Sequence, residues 1–156
     1  MRGVLFPGHS MNDPWLEELS QDECMELLRR ECVGRIAVIA DQGPIVLPVN
    51  YRLVEAPSGP LLAVRTRPGN VIARAPESVA FEIDAINPVS QEGWSVLVRG
   101  ELLHADPTSA AFRDLYDPNP WLADRDAWLL IDSWAVSGRR LHGPDLLWHY
   151  RPGEYV

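Results

Sequence analysis

The chain has 156 residues, 46% hydrophobic and 23% charged, the size and composition of one globular domain with a core of its own. Its 14 basic residues, all arginine, face 22 acidic ones, giving a formal net charge of −8. That balance argues against non-specific nucleic-acid binding, and the absence of lysine excludes a P-loop lysine, a Schiff-base nucleophile and a Ser–Lys dyad.

The N-terminal "MRGVLFPGHSMNDPW" is broken by Pro7 and Gly8 and does not read as a signal peptide, and no later run approaches membrane-spanning length. A cytoplasmic protein is expected. CxxC, HExxH, GxGxxG and GxSxG are all absent, and His9, His104, His142 and His149 show no metal-ligand spacing with the cysteines. No metal site is expected, and no side chain stands out as a catalytic acid, base or nucleophile.

"SQDECMELLRREC" (20–32) reads as the first helix. Ser20 and Glu23 form a capping box, Cys24, Leu27 and Leu28 an apolar stripe with Cys32 as a candidate fourth member, and Arg29 and Arg30 lie near the C-terminal end. Cys24 and Cys32, eight apart, would lie roughly 12 Å apart along such a helix and could not bridge. "VGRIAVIA" (33–40) is a first strand and "DQGP" a turn. "IVLPVNYRLV" (45–54) is a second strand, in which Pro48 predicts an edge, a bulge or a bend. "LLAVRT" (61–66) is a third, followed by a short helix in "PGNVIARA". "SVAFEIDAI" (78–86) and "GWSVLVRGELLHA" (93–105) are the fourth and fifth. "DPTSAAFRDLY" (106–116) reads as a helix capped by Asp106 with Pro107 at its first position. "DAWLLIDSWAVSGRRL" (126–141) is the last strand. The count is six strands joined by short turns and helices, which predicts a mainly β, six-stranded antiparallel barrel with a leading helix in a single domain spanning 1–156. The core spans about 17–141, and 142–156 form an apolar C-terminal tail expected to dock.

The ordered motifs "VGRIAV", "LPVNYRL", "VRTRPGN", "VAFEIDAI", "GWSVLVRGEL" and "DAWLLI…VSGRRL" resemble the pyridoxamine 5′-phosphate oxidase-related family of flavin-binding split-barrel proteins, in particular its small actinobacterial branch. The resemblance covers about residues 17–141. It implies a six-stranded split β-barrel and a homodimer with two cofactor sites at the subunit interface. FMN is the implied cofactor, with the deazaflavin F420 or haem as alternatives. It further implies that Pro48, Val49, Asn50 and Tyr51 lie along the isoalloxazine ring. Arg65, Thr66 and Arg67 would hold the phosphate, with Asn70 capping the helix that follows. Trp94 and Ser95 would line the flavin site, Trp121 would close one side, and Arg139 or Arg140 would add charge. Arg35, Arg74 and Arg99 are further cationic candidates. Trp128 and Trp134 read as core or interface residues.

Residue alternation puts Arg65 and Arg67 on one face and Thr66 on the other unless the chain bends there. Relatives carry a lysine or arginine where this chain has Asn70, a loss of one charge-assisted bond worth about 1.5–3 kcal/mol. The reading is a flavin-dependent oxidoreductase acting on a small conjugated substrate. Two alternatives stand beside it: a non-catalytic flavin-, F420- or haem-binding protein, for which His104, His142 and His149 are formal haem ligands, and a ligand-free dimeric interaction module.

Overall fold

The computed structural model of the chain describes residues 15–74 and 78–144, without the side chains of Arg74 and Trp134. A short strand β1 (Trp15–Leu19) leads into helix α1 (Gln21–Arg30). The capping box is present: Glu23 Oε2 accepts the Ser20 N–H at 2.9 Å, and the Ser20 hydroxyl accepts the Glu23 N–H at 3.3 Å. Cys24, Leu27 and Leu28 form its buried stripe. The helix ends two residues before the pattern suggested, because Glu31 already has extended backbone (φ −84°, ψ 157°). Cys32 therefore lies outside it and exposed, and both cysteines are free.

Strands β2 (Val33–Ala40), β3 (Gly43–Ala56), β4 (Gly59–Thr66), β5 (Ser78–Asn87), β6 (Glu92–Ala105) and β7 (Ala127–His142) correspond to the six predicted ones. Gly43 and Gly59, at φ 113° and 126°, supply the positive φ that the β2–β3 and β3–β4 hairpins require. Every pairing is antiparallel, and the order β7–β4–β3–β2–β5–β6 returns to β7, so the six strands close a ring. This is the expected split-barrel architecture. A seventh strand, β1, went unread in the sequence, since "WLEEL" is short and carries no clean alternation. It forms because β7 is 16 residues long and outruns β4.

That mismatch creates the split. β7 pairs with β6 from Trp128 to Leu141, with a bulge that leaves Trp134 between Ser133↔Gly100 and Ala135↔Arg99. On its other edge β4 takes only Ala127–Asp132, and β1 takes Gly138–His142. β3 is divided in the same way: residues 51–56 pair with β4, whereas 43–50 have β2 on one side and no described strand on the other.

Inward-facing Ile36, Val38, Leu62, Val64, Phe81, Ile83, Val96, Val98, Leu129 and Ile131 fill the ring, and α1 packs against them through Cys24, Leu27 and Leu28. Gly138 lets the helix approach β7, since a Cβ there would lie 2.6 Å from Cys24 Sγ. Helix α2 (Ala110–Tyr116) starts later than predicted. Its cap is Ser109, whose hydroxyl accepts the Phe112 N–H at 3.1 Å. The Asp106 carbonyl instead accepts the Thr108 N–H, a turn that takes 106–108 out of the helix. The short helix after Asn70 is a single 3₁₀ turn, Ile72–Arg74. Among the described residues no helix is long and apolar enough to cross a membrane. β7 runs on through His142, and the predicted docking of the tail falls on residues 145–156, outside the described ones.

Candidate functional site

The unpaired half of β3 is the first element of the site. The Tyr51 N–H donates to the Cys32 carbonyl at 3.0 Å, which turns the backbone of Tyr51 toward β2, and the direction alternates from there. The backbone groups of Pro44, Val46, Pro48 and Asn50 consequently point away from β2, toward the open side. Pro48 costs the β2–β3 ladder nothing, and the register runs unbroken from Val33↔Asn50 to Ala40↔Gly43. Of the three predicted explanations for Pro48, the edge is the one realised. This edge offers four carbonyls but only two N–H groups, those of Val46 and Asn50, because two of its four residues are proline. Such an edge resists pairing with another strand, yet it leaves hydrogen-bonding groups available to a ligand.

Val49 packs inward against the core. Asn50 is half-buried, and its Oδ1 accepts the Trp121 N–H at 3.0 Å. Tyr51 is a clamp: its ring is 2% exposed and sits edge-on to Phe81, and its hydroxyl donates to the Leu28 carbonyl at 2.8 Å. Burial pushes its phenol well above the ordinary value of 10. Both its side chain and its N–H thus have partners within the chain.

In "RTRPGN" the strand ends at Thr66, and the alternation holds. Thr66 is buried on the interior side with Leu62 and Val64, while Arg65 and Arg67 face outward. Arg65 is fully engaged. Its Nε donates to the Arg125 carbonyl at 2.7 Å and its Nη1 to both Asp117 oxygens at 3.1 and 3.2 Å, and its Cζ lies 4.7 Å from the centre of the Trp128 ring. Arg67 is exposed and has no side-chain partner among the described residues. Asn70 caps the 3₁₀ turn, its Oδ1 accepting the Ile72 N–H at 3.3 Å and its carbonyl the Ala73 N–H at 3.0 Å. Two of the amides expected to be free there, those of Ile72 and Ala73, therefore have partners within the chain, and a turn of three residues makes no anion site.

A second group lies across the sheet, separated from Asn50 by β2 and β5. Trp94 stands opposite Ala85 and Arg140, packs partly against the core, and has the Arg30 guanidinium 5.6 Å from its ring centre. It lines a cleft of about 410 Å³ with Ile86, Glu92, Arg140 and His142. Ser95, on the opposite face of β6, pairs with Asp84 and Arg139. Arg140 is held by Glu23 at 3.2 Å and Glu17 at 3.8 Å, so its charge is already met. Glu17 also bonds His142 Nε2 at 2.8 Å, and that imidazole stacks on Trp15 at 3.7 Å. Arg35 pairs with Glu82 and Asp84, both at 2.7 Å, whereas Arg99 and Arg139 are exposed. Trp121, placed against the flavin by resemblance, is 75% exposed on the segment that joins α2 to β7. Trp128 is buried as expected. The side chains of Arg74 and Trp134, and all of His149, fall outside the described residues.

The acidic partners of Arg65 and Arg140 are distant from them in sequence. Asp117 meets Arg65 across 52 residues and Glu23 meets Arg140 across 117. No local spacing announces contacts of that range. Around Asp117 the sequence shows only two prolines, Pro118 and Pro120, which stop a helix and name no partner. Among the described residues no group of three or more His, Cys, Asp and Glu side chains is placed to hold a metal.

The profile of the pyridoxamine 5′-phosphate oxidase family matches residues 20–140. An uncharacterized protein of Mycobacterium tuberculosis is 30% identical over 132 residues, 80% of this chain and 84% of its own length. Two solved structures are each 25% identical: the FAD-binding protein of Mycobacterium smegmatis (TM-score 0.60, 81% of this chain and 98% of that one) and an FAD-binding protein of Mesorhizobium loti (TM-score 0.66, 83% and 98%). A match running from the cap of α1 almost to the end of β7 takes in the whole ring of strands, and by it the chain belongs to the pyridoxamine 5′-phosphate oxidase family.

Proposed function

We propose that this protein is a cytoplasmic flavoprotein that binds FMN along the open edge of β3 and the 65–70 segment, and that it is an oxidoreductase acting on a small conjugated substrate. One observation carries the reading: the Pro44–Asn50 edge, which pairs with no described strand, offers outward carbonyls, two N–H groups and an Asn50 amide nitrogen without a partner among the described residues, on a chain of a family whose relatives include FAD-binding proteins. The donors present suit a flavin. The edge groups match the alternating acceptors and imide N–H of an isoalloxazine ring, and Arg67 is an available partner for a phosphate. A bound flavin supplies the hydride or electron transfer, while the protein binds and orients it.

The same reading takes the chain as a homodimer. Val33, Ile39, Val46 and Leu97 leave apolar area on the outside of β2, β3 and β6. The Trp94 group and the Asn50 group, apart within one chain, would be joined across a two-fold axis. The FAD-binding relatives favour FAD as a second candidate at the same site. Titrating the purified protein with FMN and FAD, followed by flavin fluorescence and absorbance, tests both. Saturable quenching at micromolar FMN is the expected result. A folded protein that leaves both flavins unquenched at high micromolar concentration refutes the reading.

A further inference from the structure

The segment between α2 and β7, residues 117–126, is tied down by two of the side chains that the flavin reading needs. Arg65 grips it through both Asp117 oxygens and the Arg125 carbonyl, with Asp126 Oδ1 3.9 Å from its Nη2. Asn50 grips it through the Trp121 N–H. Asp117 Oδ1 also accepts the Asn119 N–H at 2.9 Å, so the same carboxylate shapes the turn that it anchors. Asn119 and Asp124 have φ of 50° and 58°, the left-handed conformation that Asn and Asp adopt more readily than other L-residues, so both act as turn residues of the segment. The segment and Arg65 together wall a polar cleft of about 350 Å³.

The chemistry of these ties is the chemistry of the ligand. A carboxylate across a guanidinium occupies the place that a phosphate takes, and an N–H on an amide oxygen occupies the place that a flavin imide takes. We infer that residues 117–126 are an internal competitor of the cofactor, with Asp117 as the residue that sets affinity for the flavin phosphate. This rests on the flavin reading above. Arg67 accepts a phosphate without displacing anything, but Arg65 joins only when Asp117 leaves. Binding of a phosphorylated flavin is then coupled to release of the segment, and a flavin lacking phosphate does not call on Arg65 at all.

Asp117→Asn removes the competing charge and keeps an acceptor for the Asn119 N–H. In fluorescence titrations it should tighten FMN binding by about tenfold or more, the order of one charge-assisted hydrogen bond, and tighten riboflavin, which has an imide for Asn50 but no phosphate for Arg65, by clearly less. A second measurement uses the wild-type protein. Hydrogen exchange at the Trp121 amide, now bonded to Asn50, should accelerate on saturation with FMN, opposite to the protection a ligand ordinarily brings. FMN affinity unchanged or weakened in Asp117→Asn, or a Trp121 amide that becomes more protected, overturns the inference while leaving flavin binding in place. If wild type and variant both bind neither FMN nor riboflavin, the flavin reading falls and this inference with it.

Discussion

Replacing Tyr51 by phenylalanine isolates one hydrogen bond at the junction of helix and barrel. Leu28 lies in the last turn of α1, where carbonyls lack a helical partner, and it is 1% exposed. The Tyr51 hydroxyl is its partner at 2.8 Å. The variant keeps the ring against Phe81 but strands that carbonyl, at a cost of about 1–3 kcal/mol. For a chain of this size the melting temperature should fall by about 2–4 °C for each kcal/mol. The pH dependence gives a second, independent reading. Burial raises the folded pKa above the ordinary 10, so below pH 10 both states keep the phenolic proton and the difference between the proteins is flat. Above pH 10 only the unfolded wild type loses that proton, and the wild type loses about 1.4 kcal/mol of stability by pH 11 that the phenylalanine variant does not. The window is clean because the chain has no lysine, and the remaining tyrosines and the cysteines titrate alike in both proteins. Urea unfolding at pH 8 and pH 11 reads both effects. A gap under about 0.5 kcal/mol at pH 8, or a gap that does not narrow at pH 11, refutes the clamp.

The capping box predicts behaviour at the opposite end of the scale. Glu23 is held below its ordinary 4.5 by the Ser20 N–H, then by the Ser20 hydroxyl and Arg140. Its contribution is therefore present above pH 4.5 and lost as pH falls below it, so Glu23→Gln should flatten the acid limb of stability between pH 5 and 2.5 without steepening it elsewhere. Gly34→Ala would set a Cβ 2.2 Å from Phe81 Cζ and 2.8 Å from the Glu82 carbonyl. It should cost about 1–3 kcal/mol by denaturant titration, and adding Phe81→Leu should recover part of that loss, whereas additive costs would show that the two sites do not touch.

The barrel was legible because alternation and turn chemistry are local. "VGRIAVIA" and "SVAFEIDAI" bury every second residue on the interior face, and the Ser20–Glu23 box fixes the start of α1 from four residues alone. What escaped is set by contacts distant in sequence. β1 exists only because β7 offers it an edge, and "WLEEL" has no pattern of its own strong enough to show it. The start of α2 is not decided by local sequence, because Asp106 and Ser109 both have the side chain of a cap, and the turn at 106–108 selects Ser109. At the candidate site the sequence singled out the arginines but not their partners. Arg65 and Arg140 read as spare positive charge, and in the fold each sits on a carboxylate.

Those carboxylates change what the "RTRPGN" segment can do. Two arginines and a threonine beside a turn suggest a three-donor cradle. The strand alternation sends Thr66 inward, and Asp117 takes Arg65, so Arg67 is left as the one outward cation of the segment without a side-chain partner among the described residues. Each phosphate in the diphosphate bridge of a dinucleotide carries one negative charge, so one guanidinium neutralises one of them, whereas a dianionic terminal phosphate calls for a second cation at the same phosphorus. Under the flavin proposal the balance between FMN and FAD turns on whether Arg65 is released, and Asn70 sharpens that test because no basic side chain stands there to serve as the second cation. The barrel supplies the open edge of β3, and the acid at the end of α2 governs how many positive charges a ligand finds beside it.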